Sequence, residues 1–497
     1  MNKNIMSIKK VAITCAMSLC VGISAMAQDI LPIDEKVYND VPFEMKKMQL
    51  PVFPQYKVSI TDFGAQSSSS ALNTEAINNA IKHVSEKGGG MVVIPAGMWI
   101  TGPIELLSNV RLHAEKNALV LFSSDHSLYK SQMRSFEDKQ RLTSPIHANR
   151  AQNIAITGEG IFDGNGNTWR MVKKGKMTES QWNNLIASGG VVVDNGTKWY
   201  PNESLAQKDF RPNMIRLFEC RNVLLQGVTF KNSPAWCVHP IHCEEMAIHG
   251  ISVINPWYSQ NGDALDIESC NRVLIYDCTI DAGDDAICIK SGKDERGRRR
   301  GWPCSNVVAR DNVVYHGHGG FVVGSEMSGG VNNIFIDNCT FVGTDVGIRF
   351  KSTRGREGVV ENIFCSRINM FDIANENILF DLYYALKNAD IYKEEPVGEG
   401  TPVFRNIHID DVKGVGGRRA MFFNGLPEMR IKDITLRNIS FTGTRQGAVL
   451  RQAEGIVMDN VSISSLDDKP VTLQNVVNVS IDGKSIDKVG MDIKVIK

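Results

Sequence analysis

The sequence predicts an all-β fold, a parallel β-helix in which short strands stack coil upon coil behind an N-terminal capping helix. Repetition is the first observation. RNVLLQGVTF at 221, EMAIHGISVI at 245, NRVLIYDCTI at 271, SNVVARDNVV at 305, NNIFIDNCTF at 332, ENIFCSRINM at 361, RNIHIDDVKG at 405, KDITLRNISF at 432 and EGIVMDNVSI at 454 each join two apolar runs across a polar, often Asn-containing corner, 22 to 44 residues apart. The second observation is the period of two within those runs, as in Leu265 and Ile267 or Ile287 and Ile289, which is the pattern of strands. The third is a helical pattern placed ahead of the long series of strands, where a stack of coils needs its apolar end covered.

Taken in order, residues 1–27 have the form of a secretory signal. Lys3, Lys9 and Lys10 precede the apolar run Val11 to Ile23, and Ala25-Met26-Ala27 supplies a small-x-small cleavage site. Leu19 before Cys20 argues against lipid attachment, so the mature chain is expected to be secreted or periplasmic after cleavage near Ala27. Residues 28–55 read as a polar, Pro-containing N-terminal arm. From 56 to 497 a single β-helix catalytic domain is expected. It opens with KVSITDFGA, followed by NTEAINNAIKHVSEKGGG as one amphipathic helix with Ala76, Ile77, Ala80, Ile81 and Val84 on one face and Gly88 to Gly90 ending it. Short strands fill the rest, interrupted by two insertions, 164–212 and 383–402. Long loops on a solenoid project from one face and shape its groove.

Composition narrows the function. The chain has 497 residues, 42% hydrophobic and 22% charged, with 55 basic and 55 acidic side chains, which excludes general attraction to nucleic acid or membrane. After the signal, no apolar run approaches the roughly 20 residues of a membrane span. Nine cysteines remain beyond the signal, an odd number without the tight CxxC pairs of zinc sites. They are expected to be buried small apolar residues for the most part, with one or two disulfides allowed by an oxidising compartment.

The chemistry concentrates between Asn261 and Lys351. NGDALDIESCNRVLIYDCTIDAGDD sets Asp263, Asp284 and Asp285 beside turn residues at the ends of strand-like segments. Carboxylates converging from neighbouring strands repel unless the site needs them, and glycoside hydrolysis needs at least two, an acid and a base. Adjacent residues on a regular strand face opposite ways, so Asp284 and Asp285 share a site only if the backbone is re-aimed, and Gly283 is expected to allow a bulge or turn there. Read alone, both acidic motifs are ordinary turn chemistry. HGHGG places His318 between glycines. GIRFKS puts Arg349 and Lys351 two apart on one strand face, a compact cationic pair suited to one carboxylate. Read alone, that pair is a solvated face. His239, His242 and His249 invite a metal reading, but no matching carboxylate or thiolate pattern accompanies them, and neither metal nor cofactor is expected. The basic run from Lys290 to Arg300 is expected to bind further acidic groups or to close one end of a groove.

In order and approximate spacing, NGD at Asn261, GDD at Gly283, GHG at Gly317 and RFK at Arg349 resemble the four motifs of the polygalacturonases, glycoside hydrolase family 28, usually NTD, GDD, GHG and RIK. The N-terminal VSITDFGA and the helix after it resemble the same family's entry, and the likeness runs from about residue 56 to about 465. Gly262 stands in place of Thr and Phe350 in place of Ile. The resemblance implies a right-handed β-helix that hydrolyses α-linked galacturonate in pectin with inversion. It implies Asp284 as general acid, Asp263 and Asp285 on the attacking water, His318 beside the acid, and Arg349 with Lys351 on the galacturonate carboxylate. Asn261 is carried over as a substrate-binding residue, as is Tyr384, the match to a subsite tyrosine, with Tyr383 its rival. The partner is then a pectic polysaccharide or oligogalacturonide, met by a monomer. The long insertions favour exo action on homogalacturonan or rhamnogalacturonan oligosaccharides. Alternatives are an endo-polygalacturonase, a β-helical pectate or rhamnogalacturonan lyase, and a non-catalytic glycan-binding β-helix.

Overall fold

The structure is a computed structural model that describes residues 30–132, 140–386 and 392–486; the leader expected at 1–27 lies outside them. From Pro32 onward the chain forms one compact unit. It is a right-handed parallel β-helix with three walls. The first wall stacks Val238–Ile241, Leu265–Glu268, Asp285–Lys290, Gly319–Gly324, Ile348–Lys351, Glu376–Asp381 and Arg419–Asn424, each hydrogen-bonded in parallel to the next. The second wall runs through Asn271–Tyr276, Cys304–Arg310 and Val331–Asp337. The third is built of three-residue strands such as Thr279–Asp281 and Val313–Tyr315. In later coils the second and third walls fuse into single long strands, Val359–Phe371, Val403–Val415 and Ile431–Thr444.

In-register stacking puts like on like. Leu265, Ile287, Phe321, Ile348 and Ile378 form one inward column of the first wall, and Phe350 stacks on Phe380 with ring centroids 4.4 Å apart. Phe350 is therefore a core residue. At the corner before the second wall, Asn271, Asn306, Asn333, Asn362 and Asn406 form a ladder of side-chain amides, each donating to the one below. Of these, Asn306, Asn333, Asn362 and Asn406 have φ of 51° to 57°, a left-handed conformation that Asn tolerates better than most residues. The helix Thr74–Glu86 buries Ala76, Ile77, Ala80, Ile81 and Val84, the face the sequence predicts.

All nine cysteines among the described residues are buried and unpaired, so none of the disulfides that the sequence allowed forms among them. Several lie one per coil along the axis, where Cys243 N–H points at Cys270 Sγ, and they serve as small apolar side chains.

Candidate active site

The site sits where the chain enters the first wall. The strand Leu265–Glu268 is preceded by Asp263, and the strand Asp285–Lys290 begins at Asp285, so Asp284 belongs to the turn before it. This turn, one of the two backbone devices expected at Gly283, lets both aspartates face one site. Gly283 is required for space. A Cβ there would meet Ser259 Oγ at 2.0 Å and Pro256 O at 2.5 Å, and one on Gly262 would meet the same hydroxyl at 1.9 Å. Ser259 thus occupies the room that a side chain at position 262 would need. Gly317, at φ +134°, brings its coil so close that a Cβ would stand 2.8 Å from Asp284 O, and His318 N–H donates to that carbonyl at 2.9 Å.

Asp263, Asp284 and Asp285 each offer an oxygen within 4.8 Å of the others, and theirs is the group of acids placed to hold a cation among the described residues. Cations of the protein already surround it. Lys351 Nζ donates to Asp285 Oδ2 at 2.6 Å, Arg349 Nη1 lies 3.5 Å from Asp285 Oδ1, and His318 Nδ1 is 3.1 Å from Asp284 Oδ1. Burial, then the charges of Asp284 and Asp266, push Asp263 well above the usual carboxylate range. Burial acts on Asp284 in the same direction, but the His318 hydrogen bond and charge, with Lys351 and Lys290, outweigh it and hold Asp284 low. Burial and like-charge repulsion thus raise Asp263, while at Asp284 the histidine and the two lysines prevail.

Tyr384 faces the cationic pair, its ring centre 5.1 Å from Lys351 Nζ and 5.7 Å from Arg349 Cζ. Tyr383 is buried and packs on Tyr392. Asn261 lies in the turn just ahead of Asp263. It takes a left-handed φ of 55° in the turn, and its Oδ1 accepts from Arg211 Nη2 at 3.0 Å. Its visible work is to fix the loop ahead of Asp263, and the same arginine holds Gln260 O and Pro234 O.

The three histidines do not converge. His239 accepts from Asn213 and pairs with Glu268 at 2.9 Å, His242 stacks on Trp302, and His249 lies on the second wall stacked on Tyr276. The basic run divides as well. Residues Asp294–Arg300 form a short helix whose Arg298 pairs with Glu357 and Glu399 and whose Arg300 pairs with Glu268. Lys290 is not part of it. It ends the catalytic strand, buried between Asp266 at 3.4 Å and Glu326 at 3.2 Å, over the ring of Trp236.

Sequence reasoning also missed Lys176. The insertion 164–212 folds as a small antiparallel sheet with the helix Glu179–Ala187, and it carries Lys176 Nζ to 3.3 Å from His318 Nε2. Asp345 Oδ2 is 3.7 Å from the same nitrogen. A neutral ring accepts from Lys176 there and a protonated one turns to Asp345, and in both states Nδ1–H is free to donate to Asp284. The exposed Trp257 stands beside Lys176, 5.9 Å from its ammonium. The only sequence cue was the insertion itself.

Converged carboxylates, a histidine on one of them and cations on another, set into one wall of a β-helix, define a glycoside hydrolase. The chain belongs to glycosyl hydrolases family 28, whose model matches residues 172–455. It is similar to a hyperthermoactive exopolygalacturonase from Thermotoga maritima, with 31% identity over 89% of this chain and 95% of that one and a TM-score of 0.67. A probable polygalacturonase from Vitis vinifera is 28% identical over 78% of this chain and 74% of its own. The family 28 exopolygalacturonase of Yersinia enterocolitica shares the fold, at 23% identity over 87% of this chain and 80% of that one, with a TM-score of 0.73. Among the described residues no helix is long and apolar enough to cross a membrane.

Proposed function

We propose that the protein is a secreted, monomeric exo-acting galacturonidase that removes galacturonic acid from the ends of pectic chains with inversion. The observation that carries this is the pairing of the aspartate trio with Arg349, Lys351 and Tyr384 on the adjacent coils. Cations that already hold Asp285 stand ready for a second carboxylate, and the tyrosine ring gives the sugar a face to rest on.

Asp284 is the acid in this reading because it alone touches His318, through which it regains a proton. Burial and neighbouring negative charge favour the protonated form at Asp263 more than at Asp284. An anionic sugar beside Lys351 offsets part of the positive field that holds Asp284 low, so its pKa rises when substrate is in place. Asp263 and Asp285 hold the attacking water between them. The carboxylate oxygens lie within 4.8 Å of one another, closer than the roughly 6.5–9.5 Å typical of inverting pairs. Inversion is nevertheless the course proposed, with Asp285, held by Lys351 and Arg349, taking the proton of the attacking water.

Exo action is supported by the insertion, which brings Lys176 to His318 and Arg211 to Asn261 beside the aspartates. The test is a product time course on oligogalacturonates, followed by proton NMR, with Asp284→Asn beside the parent. Monomer from the first minutes, released as the β anomer and reduced about 10²–10⁴-fold in the variant, is expected. Mixed oligomers would make the enzyme endo, an α anomer would make it retaining, and an unsaturated product lost on chelation would make it a lyase. Binding without turnover would leave a glycan-binding β-helix.

A further inference from the structure

The first wall continues past the site, and its outward side chains change character. Counting along the register, the Arg349 position is followed by Leu379, Phe422 and Val449, and the Lys351 position by Asp381, Asn424 and Arg451. Phe422 is half-buried, with its ring 4.3 Å from Arg419 Cζ and 5.8 Å from Arg451 Cζ. Tyr392, largely exposed, lies 5.7 Å from the same Arg451. Two rings and two guanidiniums therefore meet on the catalytic face.

Counter-ions are short here. Glu376 serves both Arg418 at 2.5 Å and Arg419 at 3.9 Å. Arg451 donates only to the neutral Gln474, at 2.9 Å, and makes no ion pair among the described residues. Burial lowers the Arg419 pKa, and repulsion from Arg418 and Arg451 adds to that against the pull of Glu376. Asp381 stands between this cluster and the site. Burial raises its pKa, and its carboxylate is taken up by Tyr383 N–H and the Asn424 amide. Three clustered guanidiniums with one carboxylate among them make a place for an anion with a flat apolar face.

We propose that Phe422, Arg451 and Arg419 form a distal subsite for a second uronate of the same chain. One rung of a sheet is about 4.8 Å, close to the advance of one pyranose along an extended chain. Phe422 lies two rungs beyond Arg349 and Arg451 three beyond Lys351, so the subsite engages a sugar two to three units past the one gripped at the site. The cluster recognises length: a dimer does not reach it, and a pentamer does. For an exo enzyme it holds the long remainder of the polymer while its end is cut.

This inference rests on the galacturonide reading, and the experiment separates the two. Oligogalacturonates from dimer to hexamer are titrated calorimetrically into the Asp284→Asn protein, with and without Arg451→Gln or Phe422→Ala, while the parent enzyme is assayed on digalacturonate. Turnover of digalacturonate by the parent tests the reading alone. The subsite predicts that affinity in Asp284→Asn climbs between trimer and pentamer, and that either added substitution weakens the pentamer about tenfold, the scale of one charged hydrogen bond, far more than the dimer. Equal weakening at every length would assign these residues a structural role and overturn the subsite. So would a pentamer bound no more tightly than a trimer, or no effect of either substitution at any length.

Discussion

Two carboxylates in this molecule are each gripped by two cations, and they behave differently. On the second wall Asp337 is fully buried between Arg310 and Arg367, which donate to both its oxygens at 2.5 to 2.9 Å. Arg310 spends its remaining donors on the N-terminal arm, at Lys36 O and Asn39 O. On the first wall Asp285 sits between Lys351 and Arg349, but its Oδ1 accepts no hydrogen bond and Arg349 Nε has no partner. The Asp337 triad is complete and clamps the arm to the coil. The Asp285 triad is left short of partners in a groove where an anionic sugar can supply them.

Exchanging Asp→Asn at each position should separate the two roles. Asp285→Asn is expected to lower kcat by about 10²–10⁴-fold with little change in unfolding midpoint, because it also relieves repulsion with Asp284. Asp337→Asn is expected to keep activity per folded molecule and to cost about 3–5 kcal/mol in urea unfolding, since it strands Arg310 beneath the arm. The reverse ordering would break the comparison.

A smaller effect sharpens it through pH. Asp266, fully buried beside Lys290, has its pKa raised to about 8, first by burial. A carboxyl of about 3.9 in the unfolded chain then binds more protons folded than unfolded between about pH 4 and pH 8. Its contribution to stability is therefore complete below about pH 4 and is lost as pH rises through its folded pKa. Asp266→Asn should flatten the decline in melting temperature over that window in a thermal-shift series. An unchanged slope would show that Asp266 is already ionised in the folded protein through Lys290.

The coils, the capping helix and the grouping of Asp263, Asp284 and Asp285 were legible because each rests on local signals: period-two runs, a helical face, and turn glycines beside acids. Gly262 and Phe350 needed neighbours to be understood, Ser259 in one case and Phe380 in the other. Lys176 and Glu326 were invisible because what gives them meaning is a contact distant in sequence, 142 positions from Lys176 to His318 and 36 from Lys290 to Glu326. Lys290 looked like part of a basic loop, and only the register, which sets Glu268 opposite it on the wall, shows that it ends a strand. The contact of Asn261 with Arg211 was likewise invisible, because Arg211 lies at the end of an insertion.

The most direct test of the central claim is the ratio of kcat/KM on oligogalacturonate to that on its methyl ester, for the parent and for Lys351→Met. If the open triad reads a carboxylate, the parent favours the free acid strongly and the variant loses most of that preference, whatever its absolute rate. A preference that survives the substitution intact would show that the charge is read elsewhere and would contradict the account.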